Sequence, residues 1–226
     1  MQMVDRAVIL ILFGKYDLGL YAVIMRLSAI PQFIAGTIIS GFMPVMYNNY
    51  KTKDGIRLIK TFFNTYFISI PLITLLTYLI YMPTVEIFAG KQYLNIAYLF
   101  PMALASILYL NGIRVSGFGY TIKRKTYYII YITFISVAFN FIISLILGYY
   151  LNLAGVILGT LIAGILRTYI HTKISEKLYS FNYNFRVKVK FRVAKNLSKP
   201  RYYRMKKGDI LQMGCKKGVH IVKTRQ

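Results

Sequence analysis

The sequence predicts an all-α fold: a polytopic transmembrane helix bundle, built as one six-helix lobe whose first helix is truncated, followed by a basic tail. Three observations carry this prediction. Hydrophobic residues make up 57% of the 226 residues and the mean hydropathy is +0.51, more apolar than ordinary soluble domains. The apolar residues form runs of about 20, the length that crosses a bilayer. Basic residues gather in every second connection between these runs.

Six apolar runs divide residues 1–180, the predicted transmembrane lobe. They cover about 1–13, 18–47, 61–82, 95–119, 127–150 and 152–172. The first run has about 13 residues, and a helix of that length covers about 20 Å, well short of a hydrocarbon core of about 30 Å. We therefore expect the chain to begin inside a transmembrane helix and to continue through five full spans.

The connections between the runs alternate in charge. The basic ones are residues 48–60, residues 120–126 and everything after His171. The nearly neutral ones are residues 14–19, residues 83–94 and the tight turn near Leu151. Cytoplasmic loops of membrane proteins carry an excess of Lys and Arg. The sequence therefore predicts a multi-pass membrane protein with its C-terminus in the cytoplasm.

Residue types that serve catalysis or metal binding are scarce. The single cysteine, Cys215, cannot form an internal disulfide, and His171 and His220 are the only histidines. The acids before the end of the last span fall at different depths or on different sides. They are Asp5, Asp17, Asp54 and Glu86. Because paired carboxylates and metal-ligand spacings are both missing from the sequence, we expect a protein that is not an enzyme and uses no metal or cofactor.

Three charged residues, Asp5, Arg6 and Arg26, interrupt the first two apolar runs. Burying such a charge at mid-bilayer costs at least a few kcal/mol, so pairing is expected. If the turn between the runs centres near Tyr16, Asp5 and Arg26 each lie about ten residues, or about 15 Å, from it. They would then share one depth on antiparallel helices. Arg6 is rotated from Asp5 by about 100° and points elsewhere.

This arrangement has two interpretations. In the first, Asp5 and Arg26 neutralise each other and set the helix register. In the second, the arginines line a water-filled cavity that holds an anionic substrate, and the surplus of two arginines over one acid favours this interpretation. Asn111 and Asn140 either bond across helices or contact sugar hydroxyls, whereas Arg114 and Arg167 are expected to snorkel. The candidate substrate-binding residues are Arg6, Arg26, Asp5, Asn111 and Asn140.

A strongly basic tail, residues 181–226, follows the last span. Residues 182–226 hold 14 Lys or Arg against one acid, Asp209, and so contribute 13 of the formal net charge of +23. A basic cluster beside a membrane span attracts anionic lipid. This position explains the charge without specific nucleic-acid binding, and we expect a disordered or surface-bound segment with membrane lipids as its partners.

A resemblance to a known family follows from the opening segment. "VDRAVILILFGKYDLGLYAVIMRLSAI", followed by "FMPVMYNNY", resembles the start of the C-terminal half of bacterial polysaccharide export proteins. These are the O-antigen and capsule repeat-unit flippases of the multidrug/oligosaccharidyl-lipid/polysaccharide exporter superfamily. Their pattern is an Asp-Arg pair, a glycine, Gly-x-Tyr and a later proline, here Asp5, Arg6, Gly14, Gly19 to Tyr21 and Pro44. The likeness continues through "FAGKQYLNIAYLFPMAL" and "FNFIISLILGYYLNLAGVILGT" and covers about residues 1–180.

The resemblance implies one lobe of a two-lobed flippase that turns undecaprenyl-pyrophosphate-linked oligosaccharide from the inner to the outer leaflet, for O-antigen, lipopolysaccharide or capsule synthesis. Arg6 and Arg26 would attract the pyrophosphate, Asp5 would balance them, and an ion gradient would drive the cycle. The missing lobe would be an N-terminal lobe or a second copy. Three alternatives stay open: a multidrug cation antiporter of the same superfamily, a membrane glycosyltransferase or polymerase, and a non-transporting transporter fragment.

Overall fold

A computed structural model describes residues 2–179, and all regular structure in this part of the chain is helical. The elements are α1 (Gln2–Leu12), α2 (Lys15–Asn49), α3 (Lys53–Ala89), a 3₁₀ segment (Lys91–Ile96), α4 (Leu99–Asn111), α5 (Ile113–Ser116), α6 (Phe118–Ile122) and α7 (Tyr127–Leu178). The predicted all-α class is confirmed. The basic tail predicted at residues 181–226 lies outside the described residues.

The 52-residue helix α7 is a hairpin of two helices. Its backbone breaks at Asn152, where φ is 54°. Ser144 Oγ lies 3.5 Å from the Val156 carbonyl oxygen, and Arg167 Nη2 donates to Thr133 Oγ1 at 2.7 Å. Both residues of the second contact lie 11 residues farther from the break than those of the first contact. The two halves of α7 therefore run antiparallel. We name them α7a (residues 127–151) and α7b (residues 153–178).

Glycines allow the two halves of α7 to approach closely. A Cβ atom on Gly155 would lie 1.9 Å from the Leu147 carbonyl oxygen, and one on Gly159 would lie 2.6 Å from Ser144 Oγ. Neither position accepts a larger residue without movement of the neighbouring backbone. This is the close helix approach that small residues four apart produce in membrane bundles.

Four helical stretches are long and apolar enough to cross a membrane. They are Lys15–Asn49, Lys53–Ala89, Leu99–Ile122 and Tyr127–Leu178. Because the last stretch folds back at Asn152, it supplies two segments of about 25 residues, each about 38 Å long and sufficient to span a bilayer. These helices are those of a multi-pass membrane protein. The first helix, α1, has 11 residues.

The helices continue past the ends of the apolar runs. Only residues 50–52 separate α2 from α3, although the sequence predicts a connection over residues 48–60. Thr52 caps α3, and its Oγ1 accepts a hydrogen bond from the Gly55 amide at 3.0 Å. The predicted connection is too long because apolar composition reveals only the part of a helix that lies in the hydrocarbon core. The first residue of α3 is instead set by the capping side chain of Thr52.

Helix α4 lies at the centre of the bundle and packs against α2, α3 and α7. Its buried residues are Leu99, Phe100, Pro101, Ala103, Leu104, Ala105, Ser106, Ile107 and Leu108. The peripheral helices instead expose large apolar side chains, among them Leu79 of α3 and Phe134 of α7a. Such side chains are at no disadvantage in lipid, which is as apolar as they are. The polar positions within this bundle are therefore the informative ones.

Candidate functional site

Asp5 of α1 has no exposed surface and is held by two neutral donors from other helices. The Tyr21 hydroxyl of α2 donates to Asp5 Oδ2 at 3.1 Å, and Asn140 Nδ2 of α7a donates to Asp5 Oδ1 at 2.7 Å. One carboxyl group thus joins three helices. Asp5 and Asn140 were predicted as site residues, and the structure brings them into direct contact.

The contacts continue from Asn140 into α7. Ser144, one turn further along α7a, donates to Asn140 Oδ1 at 3.3 Å. Thr160 of α7b lies beside the Asp5 carboxylate. We call Asp5, Tyr21, Asn140, Ser144 and Thr160 the carboxylate network. Every member is at most 3% exposed, and together they connect α1, α2 and both halves of α7.

The carboxylate network has a definite chemical character. Its groups are one carboxylate, one amide and three hydroxyls, and none of them is basic. A carboxylate removed from water is costly unless hydrogen bonds and a counter-charge compensate it. Oxygen-rich surroundings suit a proton or a small hard cation. Within residues 2–179 no group of three or more His, Cys, Asp or Glu is placed to hold a metal ion. Among the five residues of the carboxylate network, Asp5 is the single acid.

The predicted pairing of Asp5 with Arg26 is wrong. The turn between α1 and α2 consists of Phe13 and Gly14, with φ of 88° at the glycine, and not of residues around Tyr16. Asp5 therefore faces Tyr21, and Arg26 lies five residues further along α2, about 7 Å deeper. The reason is that glycine adopts positive φ readily, so the chain reverses there and α2 begins at the next residue.

Arg6 and Arg26 both have exposed side chains on the surface of the lobe. The described residues do not enclose them in a hollow, contrary to the cavity expected from the sequence. Arg6 follows Asp5 directly, and its position on the helix turns it away from the buried carboxylate, as expected. Two of the five predicted site residues thus lie on the surface, and the surplus of positive charge is not buried.

An open groove of about 520 Å³ lies between α2 and the α4–α5 segment, and we call it the polar groove because five of its eight lining residues are polar. Its lining residues are Ala29, Gln32, Phe33, Gly36, Thr37, Ser40, Asn111 and Arg114. Asn111 lines the groove, and its Nδ2 is buried without a hydrogen-bond partner among the described residues. Arg114 is exposed and adds a positive charge. Arg26 precedes Ala29 by three residues and so lies on the same face of α2.

Sequence reasoning found Asn111 but not the other polar residues of this groove. A signal for them exists, because Gln32, Gly36 and Ser40 recur every four residues and form one small or polar stripe along an otherwise apolar helix. The predicted snorkelling of Arg114 leaves its charge free for a ligand in the groove. Asn140 lies in the carboxylate network instead of the groove, so the two asparagines belong to different sites.

A third polar cluster joins α6 to α7b. The Tyr120 hydroxyl is hydrogen-bonded to His171 Nδ1, and the Gly119 amide donates to Ser175 Oγ at 2.8 Å. His171 is fully buried, and its Nε2 has no hydrogen-bond partner among the described residues. Arg167, expected to snorkel, donates to a threonine of α7a. These contacts hold the end of α7b against the rest of the bundle.

Comparisons with family models, with curated proteins and with solved structures found no match for this chain. The resemblance to polysaccharide export proteins therefore stays a prediction from the sequence. What the structure adds to it is a buried carboxylate network that connects α1, α2 and both halves of α7, and a polar groove beside α2.

Proposed function

We propose that this lobe belongs to a membrane transporter that flips undecaprenyl-pyrophosphate-linked oligosaccharide repeat units across the bacterial inner membrane, for O-antigen, lipopolysaccharide or capsule synthesis. The cargo comes from the sequence resemblance. The observation that carries the transport function is the complete burial of Asp5 in an apolar bundle. Ionisable residues inside membrane segments are costly, and they commonly mark ion pathways and coupling sites.

Asp5 is the coupling residue in this proposal. A proton or a small cation taken up at Asp5 neutralises the charge of the carboxylate. This changes the hydrogen bonds that the carboxyl group accepts from Tyr21 and Asn140. Those two donors lie on α2 and α7a, so the charge state of Asp5 biases the relative positions of three helices. A ligand shifts a conformational equilibrium only through such differential contacts. An ion gradient can thereby drive a cycle of helix movement.

The cargo binds in the polar groove. Asn111 and the exposed Arg114 line this groove, and an amide and a guanidinium suit the oxygens of sugars and pyrophosphate. Because α2 lines the groove and also carries Tyr21, a movement that begins at Asp5 reaches the cargo along one helix. Arg26 lies on the groove face of α2, one turn before Ala29, and adds positive charge at one end of the groove.

A second bundle completes the transporter. The groove is open along one side, and alternating access works by the movement of one bundle against another around a central site. We propose an N-terminal lobe or a second copy of this chain as that partner, with the basic connections and the C-terminus on the cytoplasmic side.

A multidrug cation antiporter with the same fold is the second candidate, because a buried carboxylate also serves cation exchange. The groove argues against it. Arg114 lines the groove and Arg26 lies on the same face of α2, so a cationic drug would be repelled at both positions. The two candidates therefore predict opposite effects of removing these arginines.

The test uses substitutions at the native locus of the source bacterium, with lipid-linked repeat units measured by mass spectrometry of lipid extracts. Asp5→Asn and Arg114→Gln should each reduce export at least ten-fold and cause the lipid-linked precursor to accumulate. Asp17→Asn, at the opposite end of α2 from the basic connections, is the matched control and should export normally. Immunoblotting of membranes checks that all variants are present in equal amounts.

Normal export by Asp5→Asn would refute the coupling role. If deletion of the whole gene leaves the repeat-unit lipid at its normal level, the proposed cargo is wrong. Improved drug resistance in the Arg114→Gln strain, with unchanged repeat-unit export, would favour the antiporter.

A further inference from the structure

Two helix connections and the end of α7 meet at one end of the lobe. We call this the basic end and define it by residues 50–53, residues 123–126 and residues 173–179. The Tyr179 hydroxyl, just after α7, donates to the Tyr50 carbonyl oxygen at 3.4 Å. Their rings pack edge to face with centroids 6.0 Å apart. The end of α7 is thereby joined to the connection between α2 and α3.

Two lysines flank this pair of tyrosines. Lys51 Nζ lies 5.7 Å from the centroid of the Tyr50 ring, and Lys123 Nζ lies 5.7 Å from the centroid of the Tyr179 ring. Both lysines are exposed, and both tyrosines are partly buried. We call these four residues the tyrosine–lysine cluster. It places one ammonium group beside each of two rings that pack edge to face, although the residues come from three separate parts of the sequence.

The surroundings of the cluster are also basic. Seven more Lys or Arg lie on the same connections and helix ends, against two acids. The basic residues are Lys53, Arg57, Lys60, Arg124, Lys125, Lys173 and Lys177, and the acids are Asp54 and Glu176. Lys173 makes a further cation–π contact with Tyr169 at 5.7 Å. Tyrosine rings at the ends of membrane helices lie at the level of the lipid headgroups, so the cluster is placed where phosphate groups lie.

We propose that the tyrosine–lysine cluster binds the phosphate of an anionic phospholipid headgroup. The two ammonium groups donate to the phosphate oxygens, and the tyrosine pair supports the lysine side chains. A zwitterionic headgroup carries its own positive charge, which these lysines repel, so the site selects anionic lipid. This inference is independent of the cargo proposed above.

Binding at this cluster has a structural consequence. A lipid phosphate held by Lys51 and Lys123 bridges the α2–α3 connection to the α6–α7 connection.

The test measures lipid binding to the purified full chain by native mass spectrometry. The probes are dioleoyl phosphatidylglycerol, dioleoyl phosphatidylcholine and glycerol 3-phosphate, which separates a lipid site from a site for free phosphate. The tail contributes its own basic residues, so only differences between variants with the same tail are compared. The variant is Lys51→Gln/Lys123→Gln, and the matched control at the opposite end is Lys15→Gln/Lys91→Gln.

The apparent affinity for phosphatidylglycerol should fall about five-fold for each lysine removed, or about 25-fold for the pair. The control should stay within about two-fold of the original chain, and phosphatidylcholine should bind more weakly throughout. If the double variant does not fold, the single variants Lys51→Gln and Lys123→Gln replace it in the test. Each is expected to lower the apparent affinity for phosphatidylglycerol about five-fold. Circular dichroism checks helix content.

Three results would overturn the proposal. They are an unchanged affinity in Lys51→Gln/Lys123→Gln, an equal loss in the control, and equal binding of phosphatidylcholine and phosphatidylglycerol. Competition by glycerol 3-phosphate as effective as that by the lipid would reassign the cluster to free phosphate.

Discussion

Replacing Asn140 by alanine removes the shorter of the two hydrogen bonds to the buried Asp5 carboxylate, the one of 2.7 Å. Asp5 has no exposed surface, so bulk water does not contact it in the intact structure. A hydrogen bond to an ionised group contributes about 1.5–3 kcal/mol, whereas bonds between neutral groups in membrane bundles average about 0.6 kcal/mol. We expect Asn140→Ala to lower the free energy of unfolding by about 2 kcal/mol if the carboxylate is ionised.

A double-mutant cycle isolates this bond. Unfolding of Asn140→Ala, Asp5→Ala and the double variant is followed by circular dichroism during denaturant titration in a mild detergent. The expected coupling energy is about 1.5–3 kcal/mol for a charged acceptor and about 0.6 kcal/mol for a protonated one. The exposed Asn48, replaced by alanine, is the control and should change stability by less than 0.5 kcal/mol, roughly the range of surface substitutions. A coupling energy indistinguishable from zero would refute the contact itself.

Two further predictions concern packing and the third polar cluster. Gly159→Ala places a Cβ 2.6 Å from Ser144 Oγ and should destabilise the chain by about 1–3 kcal/mol, whereas Gly41→Ala, with open space around it, should be neutral or slightly stabilising. Equal denaturation midpoints for the two variants would contradict the close approach within α7. Tyr120→Phe keeps the ring but removes the partner of the buried His171 Nδ1, and should cost about 1–3 kcal/mol in the same titration. A change in the free energy of unfolding below about 0.3 kcal/mol would show that this hydrogen bond does not stabilise the fold.

The order of helices could be predicted from apolar run lengths, because lipid demands an uninterrupted run of apolar side chains and satisfied backbone groups. Even the hairpin at Asn152 coincides with a turn expected from the sequence. The helix ends could not be predicted in the same way. α3 begins at Lys53, where composition is polar, because Thr52 provides a cap outside the hydrocarbon region.

The partners of Asp5 show a different limit of sequence reasoning. Asp5 and Asn140 were each identified as polar exceptions in apolar runs, but their contact spans 135 residues. Nothing local in the sequence indicates that α1 packs against α7a. The assignment of Arg26 instead rested on counting from a turn, and moving that turn from Tyr16 to Gly14 shifts the facing residue by more than one helical turn.

That Asp5 is held by neutral donors and not by an arginine matters for the proposed mechanism. An adjacent guanidinium would favour the charged carboxylate at all times and oppose the uptake of a proton or cation. Tyr21 and Asn140 support the carboxylate without adding a fixed charge, so its net charge can change during a cycle. The arginines near the groove can then serve an anionic cargo separately. In the proposed function, coupling and cargo binding therefore occupy different places on the lobe, and α2, which carries both Tyr21 and the groove wall, connects them.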